Sequence, residues 1–158
     1  MMPPPLDPHG LRNALEAVGL RCTAQRAAVY DSLSRSQHHP TAEEVYHGVK
    51  ATIPKISLAT VYKALETLVA CGLATRLSAS DGRARYDARR DHHYHLRCLR
   101  SGTVQDISTP YDPNLIVKLD PTLTRDLERK GFHVTGYRLE LVGYFDLSTP
   151  APSAPAVP

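Results

Sequence analysis

The sequence predicts an α+β chain, with an N-terminal winged helix-turn-helix and a C-terminal α/β domain. Three observations point there. Four stretches with apolar residues at helical spacing crowd the first seventy residues. The pattern then switches to short alternating segments around Asp81-Gly82 and Ser101-Gly102. Turn pairs of that kind between alternating runs mark hairpins.

Each element has a local reason. Leu11, Leu15 and Val18 recur at helical spacing, and Gly19 stops that helix. Thr23 is placed to cap a second helix whose inner side carries Val29, Tyr30 and Leu33. Pro40 and Thr41 open a third, in which Thr41 and Glu44 fit a capping box and Val45 and Val49 face inward. A fourth begins at Ser57, after the break at Pro54. Its stripe is Leu58, Val61, Leu65, Leu68 and Val69, and Gly72 ends it. LATRLSAS, DGR and ARYD then read as a hairpin, the wing. HHYHLRCLRSGTVQDI reads as two strands, Pro121 to Lys130 as a helix, and HVTGYRLELVGYF as a final strand alternating from Tyr137 onward.

The ends are different. Residues 1–9 contain four prolines, and residues 148–158 are rich in Pro, Ala and Ser, so both are expected to be disordered. The chain is 42% hydrophobic with two Phe and no Trp, which leaves each half a modest core. Small domains of this kind lean on a metal, a disulfide or a partner subunit.

Charge and cysteine narrow the setting. The net charge is +3, and the whole surplus lies before Asp87, which suits a polyanion at the front half. The three cysteines, Cys22, Cys71 and Cys98, form no Cys-x-x-Cys pair, and the start lacks the pattern of a secretory signal. Both features predict a cytoplasmic protein. No apolar run approaches the ~20 residues of a membrane span, so no membrane partner is expected.

The fourth helix leaves Thr60, Tyr62, Lys63 and Thr67 facing outward. Such a set suits a helix lying in the major groove of double-stranded DNA. Ser57 and Thr60 sit at its amino end, where free N–H groups favour phosphate. Arg21 and Arg26 flank the start of the second helix and are expected on backbone phosphate or a minor groove. Arg76, Arg83 and Arg85 of the wing are expected to add to them. Further along, His93 and His95 are two apart, which on a strand puts both imidazoles on one face, able to share an ion. Asp87 lies just upstream and Asp106 on the next strand.

GLRCTAQRAAVYDSL, HPTAEEVY, ISLATVYKALETLVACGL and HHYHLRC…SGTVQDI together resemble the ferric uptake regulator family of bacterial metalloregulators, over about Leu11 to Phe145. The resemblance implies a homodimer that binds operator DNA when a regulatory metal is present. It divides the chain into a winged-helix DNA-binding domain at 10–86 and a metal-binding dimerisation domain at 87–147. It puts Tyr62 and Lys63 at the base-contacting positions and Arg21 at the minor-groove position. It matches His39, Asp87, His93, His95 and Asp106 to the regulatory ligands, one divalent ion per subunit. Three imidazoles and two carboxylates favour Fe(II) or Mn(II), with Zn(II) and Co(II) also able to bind. His39 belongs to the front domain and the other four to the back, so one ion would clamp the two.

The chain departs from the family's pattern in two places. Many members hold a structural zinc with two Cys-x-x-Cys pairs; here only Cys98 is present, with Ser101, Phe145 and Ser148 where partners would be. No four-thiolate zinc is expected, and Cys98 reads as a leftover buried thiol. Tyr94 and Tyr137 stand where some members carry ligands of an accessory site, which is expected to be lost. The HYH triplet and Asp106 resemble the peroxide-sensing branch, in which the imidazoles matching His39 and His93 are oxidised. An iron- or manganese-uptake regulator, or a haem-linked branch, would use the same ligands. Two alternatives remain, a metalloenzyme and a protein-interaction winged helix with an incidental metal site; the absence of HExxH, a nucleophile motif or a phosphate loop argues against the first.

Overall fold

The computed structural model describes residues 5–78 and 82–146. Four helices come first: α1 (Pro8–Glu16), α2 (Ala24–Ser34), α3 (Ala42–Lys50) and α4 (Leu58–Ala70). Their starts are set by side chains that satisfy free backbone N–H groups. Asp7 caps α1, Thr23 caps α2, and Ser57 caps α4. Thr41 and Glu44 form the full capping box at α3: Glu44 accepts from the Thr41 N–H at 2.7 Å and donates its own N–H to Thr41 Oγ1 at 3.3 Å.

The wing follows as β1 (Thr75–Ser78) and β2 (Ala84–Asp87), paired antiparallel. The core of this half is one cluster from Leu11 to Tyr86, in which Leu15, Val29, Val61, Leu65 and Leu68 are fully buried. The turn call at Asp81-Gly82 falls partly outside the described residues; Gly82 has φ +76°, the left-handed conformation such a turn needs.

The back half is a three-stranded sheet with two short helices. Strands β3 (Tyr94–Cys98) and β4 (Val104–Ile107) pair antiparallel, and β5 (Glu140–Gly143) adds parallel on the other edge of β3. Arg97 locks β5 in place with a two-pronged bond to Glu140, at 2.8 and 3.0 Å. Between β4 and β5 come α5 (Leu115–Leu119) and α6 (Leu123–Arg129).

Several boundaries differ from expectation. Helix α1 begins at Pro8, inside the segment expected to be disordered, because Asp7 caps it and the Leu6 N–H donates to Tyr30 Oη at 3.2 Å. It ends at Glu16, which leaves Val18 exposed. Leu58 is half-buried instead of core. The helix expected over 121–130 is shorter, α5 was not foreseen, and the last strand starts at Glu140 instead of Tyr137. Tyr137 is held elsewhere: its hydroxyl lies 2.8 Å from that of Tyr94 and donates to the Asp112 carbonyl. The tail at 148–158 lies outside the described residues.

Candidate metal centre and nucleic-acid face

His39 sits in the linker ahead of α3, and its place is fixed by what surrounds it. Pro40 favours extended backbone at the preceding residue. The Pro40 carbonyl accepts from the Tyr86 N–H at 3.0 Å, and Thr41 bridges to Arg85, so the linker is stitched to β2. Arg85 Nη1 donates to the His39 carbonyl at 3.0 Å and lies 3.5 Å from Glu44 of the capping box. The reading of Arg85 as a wing phosphate contact is therefore corrected: it is buried at 8% exposure and tied to the linker.

Asp87 ends β2, so the same stitching sets it beside His39. Tyr94, at the start of β3, is buried, while His93, just before the strand, and His95, on it, both turn to the cluster. The β3–β4 register puts Asp106 directly opposite His95. The result is a cluster of His39, Asp87, His93, His95 and Asp106 whose donor atoms all lie within 4.8 Å of one another. Asp106 Oδ1 is 2.7 Å from His39 Nε2, 3.2 Å from His93 Nε2 and 3.6 Å from His95 Nε2. Asp87 Oδ2 is 3.1 Å from His93 Nε2 and 3.7 Å from His95 Nε2. His93 Nε2 and His95 Nε2 are buried without a partner in hydrogen-bond geometry. Buried polar atoms normally have one, so these two nitrogens are free either to donate to a well-placed acceptor when protonated or to offer a lone pair to an ion when not.

The electrostatics follow. Burial alone would raise Asp87 and Asp106. For Asp87 the histidines His93, His95 and His39 outweigh it, and for Asp106 His39, His93 and Arg89 do, so both carboxyls stay well below the usual carboxylate range. Burial likewise disfavours a charged His93, yet the Asp106 and Asp87 carboxylates push its pKa up to about 10. A cavity of about 520 Å³ opens on the His93 and His95 side, and one of about 660 Å³ on the His39 and Asp106 side.

His38 and His92 stand outside the cluster: His38 pairs with Gln105 through the backbone, and His92 stacks on Tyr111 at 4.9 Å. Tyr94 and Tyr137 bond to each other, with Asp112 N–H donating to Tyr94 Oη at 2.8 Å. Cys98 is buried. The Ser101 hydroxyl, then the N–H groups of Ser101, Phe145 and Arg100, gather round its sulfur and lower the thiol to about 6. Ser148 lies outside the described residues.

On α4, Tyr62 and Lys63 are exposed, and Ser57 caps the helix by accepting from the Thr60 N–H at 3.1 Å. The Ser57 and Thr60 hydroxyls lie 2.8 Å apart. The Tyr62 hydroxyl donates to Glu43 Oε1 on α3 at 2.8 Å. At the start of α2, Arg21 is exposed and its carbonyl accepts from Arg26 Nη1 at 2.7 Å. Sequence reasoning missed Glu43 and Arg89 and gave Arg85 the wrong role, and no motif flags what they do; each acts through a contact far off in the chain or within an irregular loop.

The family model for the ferric uptake regulators matches residues 17–142. The chain belongs to the ferric uptake regulator family. It is a transcriptional regulator and not an enzyme. The peroxide operon regulator of Bacillus subtilis (strain 168) is 34% identical over 138 residues, covering 85% of this chain and 90% of that one. Among solved structures, the Vibrio cholerae ferric uptake regulator matches with a TM-score of 0.66 at 27% identity, covering 85% of this chain and 99% of that one. A zinc-bound manganese uptake regulator matches at 0.62 and 31% identity, covering 86% and 98%. No helix among the described residues is long and apolar enough to cross a membrane.

Proposed function

We propose that this regulator is a cytoplasmic, homodimeric, metal-dependent repressor that binds double-stranded operator DNA when one divalent ion per subunit occupies the His39, Asp87, His93, His95 and Asp106 cluster. One observation carries the reading: His39, anchored ahead of α3, and Asp87, the last residue of β2, meet His93, His95 and Asp106 of the back half with all donor atoms within 4.8 Å of one another. The donors fit an ion. They are all N and O, two buried imidazole nitrogens lack partners, and no thiolate is among them. That set suits Fe(II) or Mn(II), and accepts Zn(II).

A bound divalent ion supplies a positive centre that the five donors share. The residues of the chain do the rest. His39 is tethered through Arg85 and the Thr41–Glu44 box to the start of α3, so fixing its imidazole fixes the angle at which the helices meet the sheet. That favours one arrangement of the two halves over others, which is a shift of population by a ligand that binds one state better. On this reading Tyr62 and Lys63 read base edges, Ser57 and Thr60 meet phosphate at the helix start, and Arg21 and Arg26 hold backbone or minor groove.

The test is a gel shift of full-length protein on the DNA upstream of its own gene, with Mn(II) and with a chelator. Mn(II) is expected to tighten binding, and His93→Ala or Asp106→Ala to abolish the metal effect. Equal affinity with and without metal would sink the proposal. The peroxide operon regulator relative supports a peroxide-responsive version. Treatment with Fe(II) and hydrogen peroxide should then add one oxygen atom to a peptide holding His39 or His93. An unmodified protein that leaves DNA only when metal is removed would make it an uptake regulator. With one Cys where four thiolates would be needed, we also propose that no structural zinc is held; elemental analysis after dialysis against a chelator should find none.

A further inference from the structure

Arg89 has no part in the reading above, yet it touches both carboxylates of the cluster. It lies in the loop between β2 and β3. Its Nε and Nη2 grip the two oxygens of Asp91, each at 2.6 Å, and its Nη1 donates to Asp106 Oδ2 at 3.0 Å. Its backbone N–H donates to Asp87 Oδ1 at 2.7 Å. One residue therefore occupies one oxygen of each ligand aspartate. The other oxygen of Asp106, Oδ1, is the one turned to the imidazoles of His39, His93 and His95, whereas Asp87 faces the imidazoles with both oxygens, Oδ2 toward His93 and His95 and Oδ1 at 3.6 Å from His39 Nδ1.

Resting on the metal-site reading, we propose that Arg89 is a positioning residue whose side chain presents Asp106 to the ion through one oxygen and keeps that carboxylate from chelating it. A carboxylate that turned to chelate would have to release its outer oxygen. For Asp106 that oxygen is in a charge-assisted bond with a guanidinium whose side chain is 16% exposed. The fork geometry matters here: two nitrogens fix the plane on Asp91 and the third is thereby aimed at Asp106, which a lysine ammonium does not reproduce. A cation beside a metal site also opposes metal binding by charge. Asp91 pairs with the same guanidinium and offsets that charge, which leaves the orienting effect. An Asp106 held to one oxygen leaves an ion that prefers six ligands more room for an outside molecule.

The decisive variant is Arg89→Gln with Asp91→Asn, which removes the pair and leaves net charge unchanged. Full-length wild type, this variant, Arg89→Lys and His93→Ala are titrated with Mn(II) and with Co(II). The double variant is expected to bind Mn(II) about tenfold more weakly, the low end for loss of an outer partner of a metal ligand. Its visible Co(II) bands should weaken as a carboxylate closes on the ion and the coordination number rises. Arg89→Lys should show the same weakening of the Co(II) bands, and it carries the test alone if the double variant does not fold. Unchanged Mn(II) affinity and unchanged Co(II) bands in folded Arg89 variants overturn the proposal while the metal site stands. Equal uptake by wild type and His93→Ala would instead overturn the metal-site reading.

Discussion

The two halves of this regulator are stabilised by different means. Every residue of the main apolar cluster lies at or before Tyr86. Beyond it, Tyr94, Cys98 and Val104 are the buried apolar residues among those described, while Leu119 at 72% exposure, Phe132, Leu141, Val142 and Tyr144 face outward. The back half is instead tied by polar contacts: the Arg97–Glu140 fork, the Tyr94–Tyr137 pair, and the ion pairs of Arg89. Apolar burial works in any buffer. On the proposed reading a second subunit would cover the bare edge strand and apolar side chains, and a cation would complete the cluster of carboxylates and imidazoles. The front half is thus built to be constant and the back half to be conditional, the division a sensor needs.

That contrast can be broken at its strongest point first. Leu65 is fully buried in the middle of α4. Leu65→Ala should cost the front half about 2–5 kcal/mol, read by denaturant melts, with the same loss in chelator and in Mn(II). A loss that Mn(II) abolishes would mean the two halves are not separate in the way described. Metal itself should act next in size. At a free concentration a hundred times its dissociation constant, Mn(II) should stabilise the wild type by roughly 2.7 kcal/mol, and His93→Ala should lose that gain, in addition to some loss in chelator from the two carboxylates it leaves without its charge. On the edge strand, Leu141→Asp puts a charge where a second subunit would bury it. Sedimentation should find a monomer with the helix content of the wild type; an intact dimer would move the interface elsewhere.

The front half was largely legible in the sequence because its determinants are local. Thr23, the Thr41–Glu44 box and Ser57 mark helix starts within four residues of what they cap, and a period of 3.6 names the inner face. His93 and His95 were legible for the same reason, since alternation along one strand puts them together. What was not legible depends on non-local partners. The last strand was read too long because Tyr137 alternates like a strand residue, but its hydroxyl bonds to Tyr94 and the Asp112 carbonyl instead. Arg85 looks like a wing cation until the His39 linker is laid across β2. The short α5, an LIVKL run, carries no period long enough to separate helix from strand. Arg89 stands in an irregular loop, where sequence spacing says nothing about direction.

The smallest expected effect concerns the seam between α3 and α4. Tyr62, exposed on the helix proposed to read DNA, donates to Glu43. Its own backbone N–H, then the Tyr62 hydroxyl, hold the Glu43 carboxyl below its usual range, so it is a full negative charge at neutral pH. Two effects of Glu43→Gln then oppose each other. An anion in the first turn of a helix contributes about 0.3–1 kcal/mol to stability through the helix dipole, which the variant loses. A negative charge beside a phosphate-facing helix repels DNA, which the variant relieves, and the amide oxygen still accepts from Tyr62. The two effects separate by readout: the melt should fall slightly, while operator affinity at low salt should rise by a few-fold, on the order of one surface charge. The gain should shrink as salt is added. Weaker binding at every salt would mean that Glu43 serves the interface by aiming the Tyr62 ring, and that the charge itself is immaterial.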